Sequence, residues 1–220
     1  MNSIIERVNA VCQSIRSINH NPISFKKLIT CTRRTFKLHE FDIAFRTRKD
    51  RHLGTHEFYV MAYYDAEDDY NNFTPIEVVI HHNFADGDNF SKIQISEFLV
   101  QIFDAVVHEF RHRHQSTKRN YQIYSNHHQD PYKEYLSDPD EVDAYAVSIA
   151  IELLRVLPKD RAIRYLSRVK VLAKMRKGNA YASANLQSYI AHFDIDHITK
   201  TLTKKVYKHL LTLDIRYIFV

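Results

Sequence analysis

The chain has 220 residues, 45% of them hydrophobic and 26% charged, with a net charge of +5; that is enough apolar material for one domain-sized core, and too mild a basic balance for a dedicated nucleic-acid binder. Its three glycines, Gly54, Gly87 and Gly178, are widely separated, which excludes a dinucleotide-binding turn, a phosphate loop and a nucleophile elbow. Two cysteines, Cys12 and Cys31, exclude a disulfide framework and a four-thiolate metal site. With neither an apolar run of roughly 18 residues nor a charged-then-apolar leader after Met1, the expectation is a cytoplasmic protein without a membrane span.

Residues 1–38 read as helical: Ile4, Val8, Val11, Cys12 and Ile15 recur at helical spacing, and Asn21-Pro22 breaks the pattern before a second helix over Ser24–Leu38. The period then changes. Phe41–Arg46 alternates apolar and polar residues, and Phe58–Tyr63 and Ile76–His82 are rich in aromatic and branched side chains, so a small sheet of at least three strands is expected. Gly54 and the acidic run Glu67-Asp68-Asp69 read as turns between them. Ser91 and Gln94 have the form of a capping box. Ile95, Phe98, Leu99, Ile102, Phe103, Val106 and Phe110 follow at three- and four-residue steps, which predicts an amphipathic helix to about Gln115 that packs on the sheet. Residues 116–137 are polar, tyrosine-rich and irregular. Asp138-Pro139 opens a further helix that Pro158 ends, and residues 160–213 read as two or three helices with a break at Lys177-Gly178-Asn179. Arg33, Arg34, Lys204 and Lys205 read as solvated helix faces. The organisation expected is one α+β domain over 1–220, with helical segments at 1–38 and 160–220 around a core at 40–157.

Fourteen histidines in one chain direct attention to metal chemistry. His108-Glu109-Phe110-Arg111-His112 is an H-E-x-x-H motif late in the amphipathic helix. Residues four apart share a helix face, so both imidazoles can reach one ion. Zn2+ accepts such nitrogens and keeps a position for water when the protein supplies three ligands. Glu109, on the flank of the same face, is placed to take a proton from that water as general base. The competing reading is a solvated face on a core helix.

Two third ligands remain open. Glu141 stands in the first turn of the helix that Asp138 caps. The same position commonly completes a capping box, so a ligand role and a cap role compete there. His127 or His128, 15 or 16 residues beyond His112, is the other candidate, on a loop that fixes a ligand less well than a helix does. A metzincin pattern is excluded, because Gln115 and Lys118 occupy the positions where it needs glycine and histidine.

The motif and the stretch Pro139-Asp-Glu-Val-Asp-Ala-Tyr-Ala146 resemble a zincin metallopeptidase of the gluzincin type, and are similar to metallopeptidase-like proteins of phages and bacteria. The likeness covers roughly residues 75–157 and is sharp only in those two segments. It implies a zincin-like α+β fold, His108, His112 and Glu141 as zinc ligands and Glu109 as the catalytic base. It departs from the thermolysin pattern at Tyr145, where that pattern has an aspartate, so support for the ligand histidines has to come from elsewhere; Asp104 and Asp143 are the candidates. It also implies that Ile76–His82 is an edge strand that pairs with extended substrate. A donor to the oxyanion is expected among Tyr124, Tyr132, Tyr135, Tyr145, His127, His128 and Arg111.

The function expected is therefore that of a zinc metallopeptidase acting on a peptide or protein substrate. One alternative resembles the SprT-like proteases, which act on DNA-attached proteins; it would use His127 or His128, but the chain lacks that family's glycine-histidine segment, and nucleic acid is not otherwise indicated. The other is a zincin-shaped binding protein without catalysis, whose tyrosines and phenylalanines would anchor an interface.

Overall fold

The apolar period over residues 95–107 becomes the central helix of the first half of the molecule. The computed structural model describes residues 2–18, 22–72, 74–85, 87–121, 131–169, 171, 182–194 and 196–213. It is a mixture of helices with small sheets, as an α+β chain should be, and it divides into two compact units, Met1–Tyr121 and Gln122–Ile218. No linker composition marks that division, and the break expected at Lys177-Gly178-Asn179 lies outside the described residues.

The first unit holds helices α1 (Asn2–Ile18), α2 (Phe25–Leu38), α3 (Ala66–Asn72) and α4 (Lys92–Lys118), with strands β1 (Ile23–Ser24), β2 (Ile43–Lys49), β3 (Phe58–Tyr63), β4 (Ile76–His82) and β5 (Asn89–Phe90). The capping box at the start of α4 is complete. Ser91 Oγ accepts from the Gln94 N–H at 3.2 Å, and Gln94 Oε1 accepts from the Ser91 N–H at 2.9 Å. Ile95, Phe98, Leu99, Ile102, Phe103, Val106 and Val107 of α4 are all buried, packed against α1 on one side and β3 and β4 on the other. Burying a side chain of this kind is worth roughly 1.5–3 kcal/mol, so α4 is held along most of its length. The acidic run at 67–69, expected as a turn, instead forms the first turn of α3. Carboxylates there favour the helix dipole, and the Asp65 side chain accepts the Glu67 and Asp68 N–H groups at 2.9 Å.

The main sheet has the order β2-β4-β3, with β2 parallel and β3 antiparallel to β4. This corrects the expectation for Ile76–His82. That strand is central and paired on both sides; its alternating buried residues, Ile76, Val78 and Ile80, mark the face that packs on the helical layer. It cannot accept a substrate strand. The sheet edges are β2 and β3, and on β3 the Val60 N–H already donates to Gln101 Oε1 of α4 at 2.9 Å.

A buried carboxylate ties α3 to the distal half of α4. Asp69, 1% exposed, accepts from Arg113 Nη2 at 2.9 Å and from the Tyr64 hydroxyl at 2.9 Å, with the Tyr121 hydroxyl at 3.5 Å.

The second unit holds α5 (Pro131–Ser137), α6 (Pro139–Val156), α7 (Lys159–Ser167), α8 (Ala184–Phe193) and α9 (His197–Thr212). Helix α6 is its centre. Val142, Ala144, Ala146, Val147, Ile149, Ala150, Ile151 and Leu153 are buried, and α9 packs along it through Leu202, Val206 and Leu210. Helix α5 covers part of the stretch expected to be irregular; residues 122–130 of that stretch lie outside the described residues. The Glu152 carboxylate receives the Ser183 hydroxyl and the Asn185 side-chain amide, tying α6 to the start of α8. Tyr189 is fully buried and donates from its hydroxyl to the Leu136 carbonyl at 2.9 Å.

Two measurements follow from these buried polar groups. Asp69→Asn leaves Arg113 without its buried counter-charge and should lower unfolding stability by about 3 kcal/mol, seen as a reduced urea midpoint; an unchanged midpoint would refute the anchoring role. Burial, before any other cause, holds the Tyr64 and Tyr189 phenols above the ordinary tyrosine range. A folded pKa above the unfolded one stabilises fully below the unfolded value of about 10 and is lost as pH rises past it. Stability should therefore fall steeply above about pH 10, and Tyr64→Phe should make that fall shallower in the same denaturation series.

Candidate metal centre

Helix α4 fixes the two histidines. His108 and His112 follow Val106 and Val107, which are buried, and both imidazoles are half-buried on the neighbouring face. Their Nε2 atoms face each other at 3.1 Å, with ring centroids 4.8 Å apart and planes at 71°. Two nitrogens bound to one tetrahedral zinc at about 2.0–2.1 Å would lie roughly 3.3 Å apart. The observed separation is therefore close to that of a shared ion, and in the metal-free protein it suits an N–H···N hydrogen bond equally well.

Glu141 of α6 completes a group. One ligand atom from each of His108, His112 and Glu141 lies within 4.8 Å of the others, so together they could hold a metal ion. The donor set, two neutral nitrogens and one carboxylate oxygen, is chemically suited to a borderline divalent cation with an open position. The competing cap role is met by another group: the Asp138 N–H, which a capping-box carboxylate would accept, donates to the Tyr135 carbonyl at 3.1 Å, while the Asp138 carboxylate accepts the Asp140 N–H at 2.7 Å. Glu109, next to His108, is half-buried and stands outside the ligand group, as a base rather than a ligand must.

Around Glu141 the second unit places two tyrosines. Tyr135 of α5 is hydrogen-bonded to Glu141 and Tyr145, and burial of the phenol, followed by the Glu141 charge, raises its pKa well above the usual range. The Tyr145 ring, at the position where the thermolysin pattern has aspartate, also packs edge-on against Tyr189 at 5.4 Å. Thus one of the tyrosines named as oxyanion donors, Tyr135, lies against the candidate ligand carboxylate, with Tyr145 hydrogen-bonded to it in turn. Tyr132 packs on His192 at 4.7 Å, Arg111 is half-buried on α4, and Tyr124, His127 and His128 lie outside the described residues.

Asp143 accepts from Lys205 Nζ at 3.0 Å and lies 3.8 Å from His209 Nε2, both on α9. Lys205 is accordingly not the solvated residue its surface-like context suggested. Asp104 is half-buried on α4, one turn before His108. Neither the Asp69 network nor Tyr135 was singled out as support for the site in the linear chain. Asp69 was masked by an acidic run that resembles a turn, and Tyr135 by a tyrosine-rich stretch with several equivalent choices.

Comparisons with protein families, with curated proteins and with solved structures find no match for this chain.

A metal assay tests the group directly. The purified chain should carry about one divalent ion, with zinc the expected one. Glu141→Ala or His112→Ala should weaken retention by more than the about 10–100-fold typical of losing an outer hydrogen bond to a ligand, measured by elemental analysis after dialysis against a weak chelator. Full retention by Glu141→Ala, with loss on replacing His127 and His128, would move the third ligand to that pair.

Proposed function

We propose that this chain is a zinc-dependent metallopeptidase of the zincin type, with a gluzincin-like ligand set of His108, His112 and Glu141. The observation that carries the reading is the close Nε2 pair on α4, within ligand distance of the Glu141 carboxylate and with Glu109 one residue away. Two imidazoles and a carboxylate leave an open coordination position, which suits catalysis better than a structural site. Zinc, when bound, supplies Lewis acidity to a water and to the scissile carbonyl.

The remaining work falls to side chains of this chain. Glu109 accepts a proton from the attacking water and returns it to the departing amine nitrogen as the peptide bond breaks. The Tyr135 hydroxyl, kept protonated by its surroundings, holds the Glu141 carboxylate in one orientation. The Asp69–Arg113 pair fixes the turn of α4 that follows His112. Within the first unit one helix, α4, carries both ligand histidines, which limits how far those two donors can drift from each other.

The decisive variant is Glu109→Gln. It removes the base and keeps side-chain size, so metal content should stay at the parental level while peptide hydrolysis drops by roughly 10²–10⁴-fold. Cleavage of a casein or mixed-peptide substrate at the parental rate by a metal-loaded Glu109→Gln protein would exclude this mechanism.

A further inference from the structure

A second site, independent of the metal centre, lies in the first unit between α2 and the end of the sheet. A cavity of about 560 Å³ is lined there by Phe25, Lys26, Thr30 and Arg33 of α2, Thr47 of β2, and His82 at the end of β4, among others. Its lining is rich in donors and contains no carboxylate. Arg33 uses one nitrogen to donate to the Phe45 carbonyl at 2.8 Å. That bond braces the guanidinium against β2, and a guanidinium has further donors on its planar fork. Lys26 is exposed and makes no ion pair among the described residues. Asp88, on the adjoining turn, is already engaged by His56 Nε2 at 3.1 Å and by the Ala85 N–H at 2.7 Å.

The surroundings have the same sign. Helix α2 carries Lys26, Lys27, Arg33, Arg34 and Lys37 and no Asp or Glu; on β2, Lys49 shares the face of Thr47, while Arg46 and Arg48 alternate to the opposite face of the sheet. Among these cations Arg46 is paired, with Glu77 at 3.0 Å. The other wall is aromatic. The half-buried Phe25 ring stacks on Phe84 at 5.5 Å with planes 3° apart, and lies 4.1 Å from the His82 ring. Nδ1 of His82 accepts the Phe84 N–H at 3.3 Å, which holds the ring against this wall.

Cationic donors for an anion beside a rigid aromatic stack for a flat ring are the two halves of nucleotide recognition. We propose that this cavity binds a nucleoside phosphate, either as a free nucleotide or as one unit of a single nucleic-acid strand, with Lys26 and Arg33 on the phosphate and Phe25 against the base.

The test is titration of the full-length protein, kept in chelator so that phosphate cannot ligate a metal. The probes are adenosine 5′-monophosphate, adenosine, inorganic phosphate and a single-stranded oligonucleotide of about ten nucleotides. The monophosphate or the oligonucleotide should bind saturably, at least about tenfold more tightly than adenosine or phosphate alone, and more weakly as salt rises. A tighter oligonucleotide assigns the site to a strand, and a tighter monophosphate to a free nucleotide. Lys26→Glu, at an exposed position that leaves the fold intact, should weaken binding by at least about fivefold; Arg33→Gln and Phe25→Ala should do the same where melting curves show them folded. The proposal is overturned if neither probe binds, if Lys26→Glu binds as the parent does, or if phosphate alone binds as tightly as the nucleotide.

Discussion

Two imidazole nitrogens held 3.1 Å apart on one helix form a local constraint on which the site depends. An unrestrained pair of histidines would separate, because each ring is better solvated by water than by its neighbour. Here the separation is fixed by backbone geometry: residues four apart on α4 rise by about one turn and return to the same face. That geometry is only as firm as the helix. Its firmness comes from the buried residues between Ile95 and Val107 before the motif and from the Asp69–Arg113 contact just after it. The apolar half of α4 and the buried carboxylate therefore have one consequence in common. They prevent the turn that carries His108 and His112 from fraying, although residues near helix ends ordinarily do so.

The carboxylate side obeys different physics. Glu141 sits in the first turn of α6, where a negative charge is favoured by the unpaired N–H groups of the helix terminus. Left alone, such a side chain tends to fold back onto the terminus. That alternative is removed because the Asp138 N–H donates to the Tyr135 carbonyl at 3.1 Å. The Tyr135 hydroxyl, hydrogen-bonded to the Glu141 carboxylate, restricts it without neutralising it.

The parts legible in the sequence were those governed by periodicity and capping. The strand ranges 58–63 and 76–82, the capping box at Ser91, the amphipathic face of α4 and the Asp138-Pro139 opening of α6 are all local patterns, set by residues within a few positions of one another. Strand order is a different kind of fact. Nothing in Ile76-Glu-Val-Val-Ile-His-His distinguishes an edge strand with one buried face from a central strand between two partners, and the parallel partner β2 is some thirty residues away. Asp143 illustrates the same limit on a smaller scale. Its neighbours in sequence do not announce that it pairs with Lys205, more than sixty residues further on.

Charge shows most clearly how a chain average hides local structure. A net +5 over 220 residues argues against a specialised polyanion binder. Yet that average includes the acidic first turn of α3 and the acidic start of α6, while α2 and β2 carry eight cations and no acid between them. Because screening confines an exposed charge to within about 8–10 Å at physiological salt, a ligand in the α2–β2 cavity responds to the cations that line it, Lys26 and Arg33, rather than to the chain total. The reading of Arg33 and Arg34 as solvated helix faces is correct in that both are exposed. What it omits is that Arg33 is braced by the Phe45 carbonyl beside an aromatic wall, and a cation held in that way has less conformational entropy to lose on binding an anion than one free in solvent.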